Sequence, residues 1–181
     1  MLRIITMIRL FLPVALPLAA LAVKPNVLLI LTDDQGYGDL SLHGNPYLKT
    51  PAMDSIGEGG VRLDRFYVSP VCAPTRASLL TGRYHLRTGV TGVSNRQEVM
   101  SPSETTLAEL FQENGYGTGC FGKWHNGAVY PETQNGQGFD EFFGLLGAVT
   151  RRYFDPELTH NDETRQYEGY ITELLTDAAL D

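Results

Sequence analysis

The chain has 181 residues, with 21 acidic against 14 basic side chains, a formal charge of −7 and an apolar fraction of 43%. That length supports a compact domain with a real core. The composition excludes collagen, coiled coil and disorder. No cluster of Lys and Arg is available to neutralise phosphates, so the chain offers nucleic acid no footing.

Residues 1–22 read as a signal peptide. Arg3 and Arg9 supply a positive start, an apolar stretch runs from Leu10 to Leu21, and Ala20-Leu21-Ala22 matches an A-x-A cleavage site. Pro13 and Pro17 interrupt a run already shorter than the roughly 20 residues a membrane helix needs. The expectation is export to the periplasm or cell exterior, with no transmembrane span.

Lys24-Pro25-Asn26 leads into Val27-Leu28-Leu29-Ile30-Leu31. An apolar run without alternation predicts a strand buried on both faces of a parallel sheet. It ends at Asp33-Asp34, where open α/β sheets place ligands. Thr50-Pro51 predicts a helix start with proline at its first position, and Gly59-Gly60 its stop. Val61 to Val68 alternates as a second strand. The loop Ser69 to Pro74 follows, then a helix from about Pro74 to Leu80, stopped by Gly82.

Residues 88–104 read as loop. Thr106-Leu107-Ala108-Glu109 is a capping box; it opens a helix with Leu107, Leu110 and Phe111 on one face and Asn114-Gly115 at its end. Gly117 to Phe121 predicts a short buried strand carrying Cys120. Residues 131–150 are Gly-rich and read as irregular, and Gly169 to Leu180 as a last helix. Strands alternating with helices argue an α/β fold with a parallel sheet. In such a topology Asp33 and Asp34, Cys72, and Lys123 with His125 converge on one edge.

Three segments carry chemistry. The first is Cys72-Ala73-Pro74-Thr75-Arg76, continued by Thr81-Gly82-Arg83; the others are Pro25-Asn26-Val27 through Gly36, and Gly122-Lys123-Trp124-His125. Alone, Arg76 is a solvated helix arginine, Asp33-Asp34 are turn acids and Lys-x-His is a surface loop. Together and in this order, the segments resemble the formylglycine-dependent, arylsulfatase-like sulfatases of the alkaline-phosphatase-like superfamily, from about residue 24 onward. The resemblance implies an alkaline-phosphatase-like α/β sandwich around a parallel sheet. Residues 23–181 would form the N-terminal portion of its catalytic domain.

It also implies a reaction, the hydrolysis of sulfate esters. A maturation system oxidises Cys72 to formylglycine, whose hydrate has two hydroxyls on one carbon. One attacks sulfur and expels the alcohol; the other loses its proton as sulfate is eliminated. Serine lacks that second hydroxyl. Arg76, one helical turn beyond Cys72, is a permanent planar cation suited to an oxyanion. By the resemblance Lys123 contacts the sulfate, and His125 hydrogen-bonds the formylglycine hydroxyl. Asp33, Asp34 and the modified Cys72 bind Ca2+, with Mg2+ as the other hard cation suited to them.

The substrate alcohol stays open between sulfated carbohydrate and aryl sulfate. Family members are longer, so an Asp and an Asn completing the metal shell, a further histidine, a further lysine and a C-terminal subdomain are expected beyond residue 181. The chain alone is then expected to be an inactive fragment. Two other readings keep a place: a phosphate or phosphonate ester hydrolase of the same superfamily, and a non-catalytic exported domain with a Cys72–Cys120 disulfide. His43, His85 and His160 receive no role.

Overall fold

The structure is a computed structural model that describes residues 24–181. The leader expected at residues 1–22 lies outside the described residues. The chain divides into two units, residues 1–32 and residues 33–181.

In the first unit, residues 24–32 form neither helix nor strand. Val27 to Leu31 are all exposed, Leu28 by 84%. The expected central strand is therefore not formed. A strand exists only when its N–H and C=O groups find a ladder, and none of the described strands pairs with this segment.

The second unit is built on a mixed four-stranded sheet in the order β1-β2-β3-β4. The strands are β1 Gly119–Lys123, β2 Glu141–Leu145, β3 Glu157–His160 and β4 Glu163–Gln166. β1 and β2 are parallel; β2 with β3 and β3 with β4 are antiparallel. The α/β class stands, but only one pair has the parallel register expected throughout. Antiparallel neighbours need only a tight turn, and Asn161-Asp162 supplies it, with Asn161 left-handed at φ 55°. The Asn161 side chain also accepts the Phe142 N–H at 2.8 Å, tying the turn to β2.

β2 lies inside the stretch expected to be irregular. Successive strand residues face opposite sides, and both of its phenylalanines are buried, Phe142 completely. Phe142 joins Ala73, Ala77, Val90, Met100 and Trp124 in one core cluster; Phe143 joins Leu158 and Ile171 in another. Gly144 lets β1 come close, since a Cβ there would run into the Gly122 carbonyl oxygen.

Helices supply the covering layers. α1 spans Pro51–Gly59 and α2 Cys72–Thr81. α3 spans Leu107–Glu113 and α4 Ile171–Leu180. α2 contributes Ala73 and Ala77 to the first cluster, and α4 contributes Ile171 to the second. The capping box of α3 forms as its sequence predicts: Thr106 Oγ1 accepts the Glu109 N–H at 3.1 Å, and Glu109 accepts the Thr106 N–H at 2.7 Å. Its buried residue is Ala108, however, while Leu110 stays exposed.

Val61 to Val68 is the second apolar stretch that forms no strand; it runs exposed, Val61 by 90%. As with residues 27–31, its β pattern has no described strand to pair with. Among the described residues, no helix is long and apolar enough to cross a membrane.

Candidate active site

α2 starts at Cys72 itself, two residues before the position its proline suggests. Pro74 sits in the first turn, where a missing N–H does no harm. Its left-handed cap, Gly82 at φ 64°, ends the helix as expected. Helical spacing then puts Cys72 and Arg76 on one face.

β1 delivers Lys123 at its last position, and the chain continues through Trp124, His125 and Asn126. Trp124 enters the core, with its indole N–H on the Glu132 carbonyl at 3.0 Å. His125 is left-handed at φ 60°, a conformation uncommon outside glycine and associated with functional positions. That turn brings Nδ1 to 3.2 Å from the Cys72 Sγ. Nε2 lies 2.9 Å from the Val93 carbonyl oxygen. A carbonyl only accepts, so Nε2 carries the hydrogen, and the neutral ring presents a lone pair at Nδ1 to the Cys72 thiol. Burial pushes the imidazole pKa below its ordinary value. Lys123 and Arg76 push it the same way, against the Val93 carbonyl and Glu98. The net effect favours the neutral ring.

Two cations stand beside this pair. Lys123 Nζ donates to Asp33 Oδ2 at 2.8 Å, and Arg76 donates to Asp33 Oδ1 at 3.1 Å. Arg76 also donates to the Lys123 carbonyl oxygen, which fixes α2 to the end of β1. Partial burial alone would raise the Asp33 carboxyl; the hydrogen bonds from Lys123 and Arg76 outweigh it and hold the group below the usual range. The Arg76 side chain is only 10% exposed, and its Nε–H is buried with no partner among the described residues. A buried donor without an acceptor is unfavourable, so this guanidinium is suited to a further anion.

Asn126 is a neighbour whose place the sequence does not reveal. It is fully buried, and its amide donates to the carbonyls of Ala73 at 3.2 Å and Glu98 at 3.1 Å. It thereby ties the first turn of α2 to the segment after β1.

The residues singled out by sequence thus come together, with one exception. Cys72, Arg76, Lys123, His125 and Asp33 form one connected group, while Asp34, exposed and left-handed at φ 56°, has no bonded partner among the described residues. Asp33 and Asp34 are hard donors of the right kind for calcium, which takes roughly six to eight oxygens. No third His, Cys, Asp or Glu joins them into a metal-holding group among the described residues. Both oxygens of Asp33 are already engaged by cations. The described residues alone therefore do not make a metal site.

Both cysteines are free, so the Cys72–Cys120 disulfide is not formed. Cys120 packs against the first core cluster, and burial pushes its thiol up to about 11. The other histidines find structural partners. His43 stacks on Tyr37, His85 lies 3.0 Å from the Val90 carbonyl, and His160 pairs with Glu141.

A cysteine at a helix start, a histidine ring against it and two cations alongside form one compact polar cluster. Comparison with known proteins gives the family. The sulfatase family matches residues 25–181, and the chain belongs to it. It is 38% identical to human (Homo sapiens) arylsulfatase D over 149 residues, covering 74% of this chain and 25% of that protein. It is 43% identical to human arylsulfatase A over 133 residues, covering 70% of this chain and 26% of that protein. The chain thus spans about a quarter of the length of these curated relatives. Among solved structures, Ps i-CgsB superposes with a TM-score of 0.80 at 31% identity, over 87% of this chain and 41% of that one. BT4656 in complex with its substrate D-glucosamine-2-N,6-O-disulfate superposes with a TM-score of 0.74 at 28% identity, over 87% of this chain and 31% of that one. Sulfatases generally use formylglycine and a divalent metal.

Proposed function

We propose that the protein carrying this chain hydrolyses sulfate esters of carbohydrates, with Cys72 as the formylglycine precursor. The observation that carries the reading is the contact of 3.2 Å between Cys72 Sγ and His125 Nδ1 at the start of α2. Once hydrated, the aldehyde would attack sulfur through one hydroxyl and expel the alcohol; loss of the proton from the other hydroxyl would then break the C–O bond to sulfate and restore the aldehyde. His125 Nδ1 is the acceptor for the proton of the residue-72 hydroxyl, and the Val93 carbonyl holds the ring in the tautomer that leaves Nδ1 free. Arg76 and Lys123 bind the sulfate oxygens. Their carboxylate partner Asp33 is 41% exposed, so the sulfate ester monoanion would compete with it for the same two cations. Ca2+ is the cation we assign to Asp33 and Asp34, with its other oxygens from outside the described group. The signal peptide at residues 1–22 and export fit this assignment, and a maturation system is the partner that acts on Cys72. The disulfated sugar bound to BT4656 supports a carbohydrate over an aryl substrate.

The test has two readouts. Mass spectrometry of the Cys72 peptide, after production with a formylglycine-generating enzyme, should find the aldehyde. The whole protein should release sulfate from a sulfated sugar, and Cys72→Ala should abolish turnover without unfolding. An unconverted Cys72, full activity in the alanine variant, or faster cleavage of the matching phosphate ester would refute the reading.

A further inference from the structure

Beyond β2 the chain forms a cavity of about 420 Å³, lined by Leu145, Arg151, Arg152, Asp155, Glu157 and Gln166 among others. That volume lies within the range of small-molecule sites. The cavity adjoins the candidate active site through the backbone. Leu145 is the register partner of Lys123, and its carbonyl accepts the Trp124 N–H at 2.9 Å. The next carbonyl, of Leu146, accepts the His125 N–H at 3.0 Å. The strand that holds the Lys123–His125 segment in place therefore also begins the cavity wall.

The chemistry of the lining is specific. Arg151 and Arg152 are exposed, and neither guanidinium has an ion pair or hydrogen bond among the described residues. The Arg152 backbone is pinned: its N–H donates to Thr150 Oγ1 at 3.2 Å, and its carbonyl accepts from that hydroxyl at 2.8 Å. Asp155 is fixed by the Gly169 N–H at 2.9 Å, and its carbonyl accepts from the Gln166 amide at 3.3 Å. Two open guanidinium groups suit an anionic oxygen group. The carboxylates and the amide that also line it suit hydroxyl donors. A molecule carrying both is an acidic sugar.

We propose that this cavity is a subsite for a second acidic group of the substrate. A sugar ring would present hydroxyls to Asp155, Glu157 and Gln166, and its extra sulfate or carboxylate to Arg151 and Arg152. The proposal rests on the sulfate-ester reading, since it places the subsite next to the scissile ester. It makes the enzyme selective for multiply acidic carbohydrates over singly sulfated ones.

The test is calorimetric titration of the chain with Cys72 left as thiol, so that nothing is turned over. The probes are D-glucosamine-2-N,6-O-disulfate, glucosamine 6-O-sulfate and a monosulfated uronic acid. The disulfate or the uronic acid should bind about tenfold tighter than the monosulfate, and which of them does so identifies the second group. The double variant Arg151→Ala/Arg152→Ala should bring all three within about twofold while binding the monosulfate as before. A wild-type chain without preference, or a preference that survives in the double variant, overturns the subsite. An equal loss of preference on Arg65→Ala, an exposed site elsewhere, marks general electrostatics and also overturns it. Titration with 4-nitrophenyl sulfate separates the two readings. Its binding should be lost in Lys123→Ala and kept in the double variant. Binding indifferent to Lys123 overturns the sulfatase reading, and with it the subsite's role beside a scissile ester, even where a sugar preference persists.

Discussion

Asp33→Asn removes the negative charge between Lys123 and Arg76 while keeping the side chain's volume. The two cationic side chains are 12% and 10% exposed, whereas the carboxylate is 41% exposed. An exposed ion pair is worth roughly 0.2–1 kcal/mol, and breaking a fully buried one roughly 3–5 kcal/mol. Solvent reaches the carboxylate and screens the cluster, so the loss belongs near the lower range, at about 1–2 kcal/mol. For a chain of this size that lowers the melting temperature by about 2–8 °C. The assay is thermal melting by circular dichroism at neutral pH, repeated with increasing sodium sulfate. Ligand that binds only the folded state raises its stability, and the variant leaves two cations without their anion. Sulfate should therefore raise the melting temperature of Asp33→Asn more than that of the unsubstituted chain, and sodium chloride at equal ionic strength should not. A variant that melts with the unsubstituted chain, or chloride that rescues as well as sulfate, would refute the assignment of Arg76 and Lys123 as an oxyanion cradle.

Gly144→Ala drives a Cβ into the Gly122 carbonyl, where no rotamer can relieve the clash; it should destabilise by about 3 kcal/mol, read as a lower urea midpoint at unchanged slope. Thr106→Ala loses the α3 cap together with a buried hydrogen bond to the Gln137 carbonyl at 2.7 Å. It should lose about 1–2 kcal/mol, and Thr106→Ser should recover most of it. The Cys120 thiol, raised by burial to about 11, stays protonated and unreactive through neutral pH. Its alkylation by iodoacetamide in the folded chain should rise only as pH approaches 11, and fast labelling at pH 8 would contradict its burial.

The local signals that proved legible were those whose partners are close in sequence. Thr106 and Glu109 satisfy each other within one turn, so the capping box appears where it is written. Pro51 opens α1, Gly82 closes α2, and the last helix runs Ile171–Leu180 within its expected span. Strands need distant partners, and there the pattern misled. Val27–Leu31 and Val61–Val68 have the composition of strands and no described ladder to join. Conversely β2, with one glycine among five residues, reads as irregular and forms an inner strand of the sheet, paired in parallel with β1. Its two phenylalanines face opposite core clusters, a fact that no single periodicity distinguishes from loop.

The site was legible as a set of residues but not as a geometry. Lys123 and His125 lie at the site and Trp124 in the core, and His125 reaches Cys72 through a left-handed turn. Gly122 and Gly127, both at positive φ, bracket that turn and give the backbone its freedom there. Propensity disfavours such a conformation for histidine, so it must be imposed by its surroundings. Those surroundings are on both sides: the His125 N–H is held by Leu146, and Asn126 anchors to Ala73 and Glu98. The same Ala73 follows Cys72 in α2. Asn126 thus couples the turn that aims the imidazole to the helix start that carries its target, which a reading of motifs one at a time has no means to find.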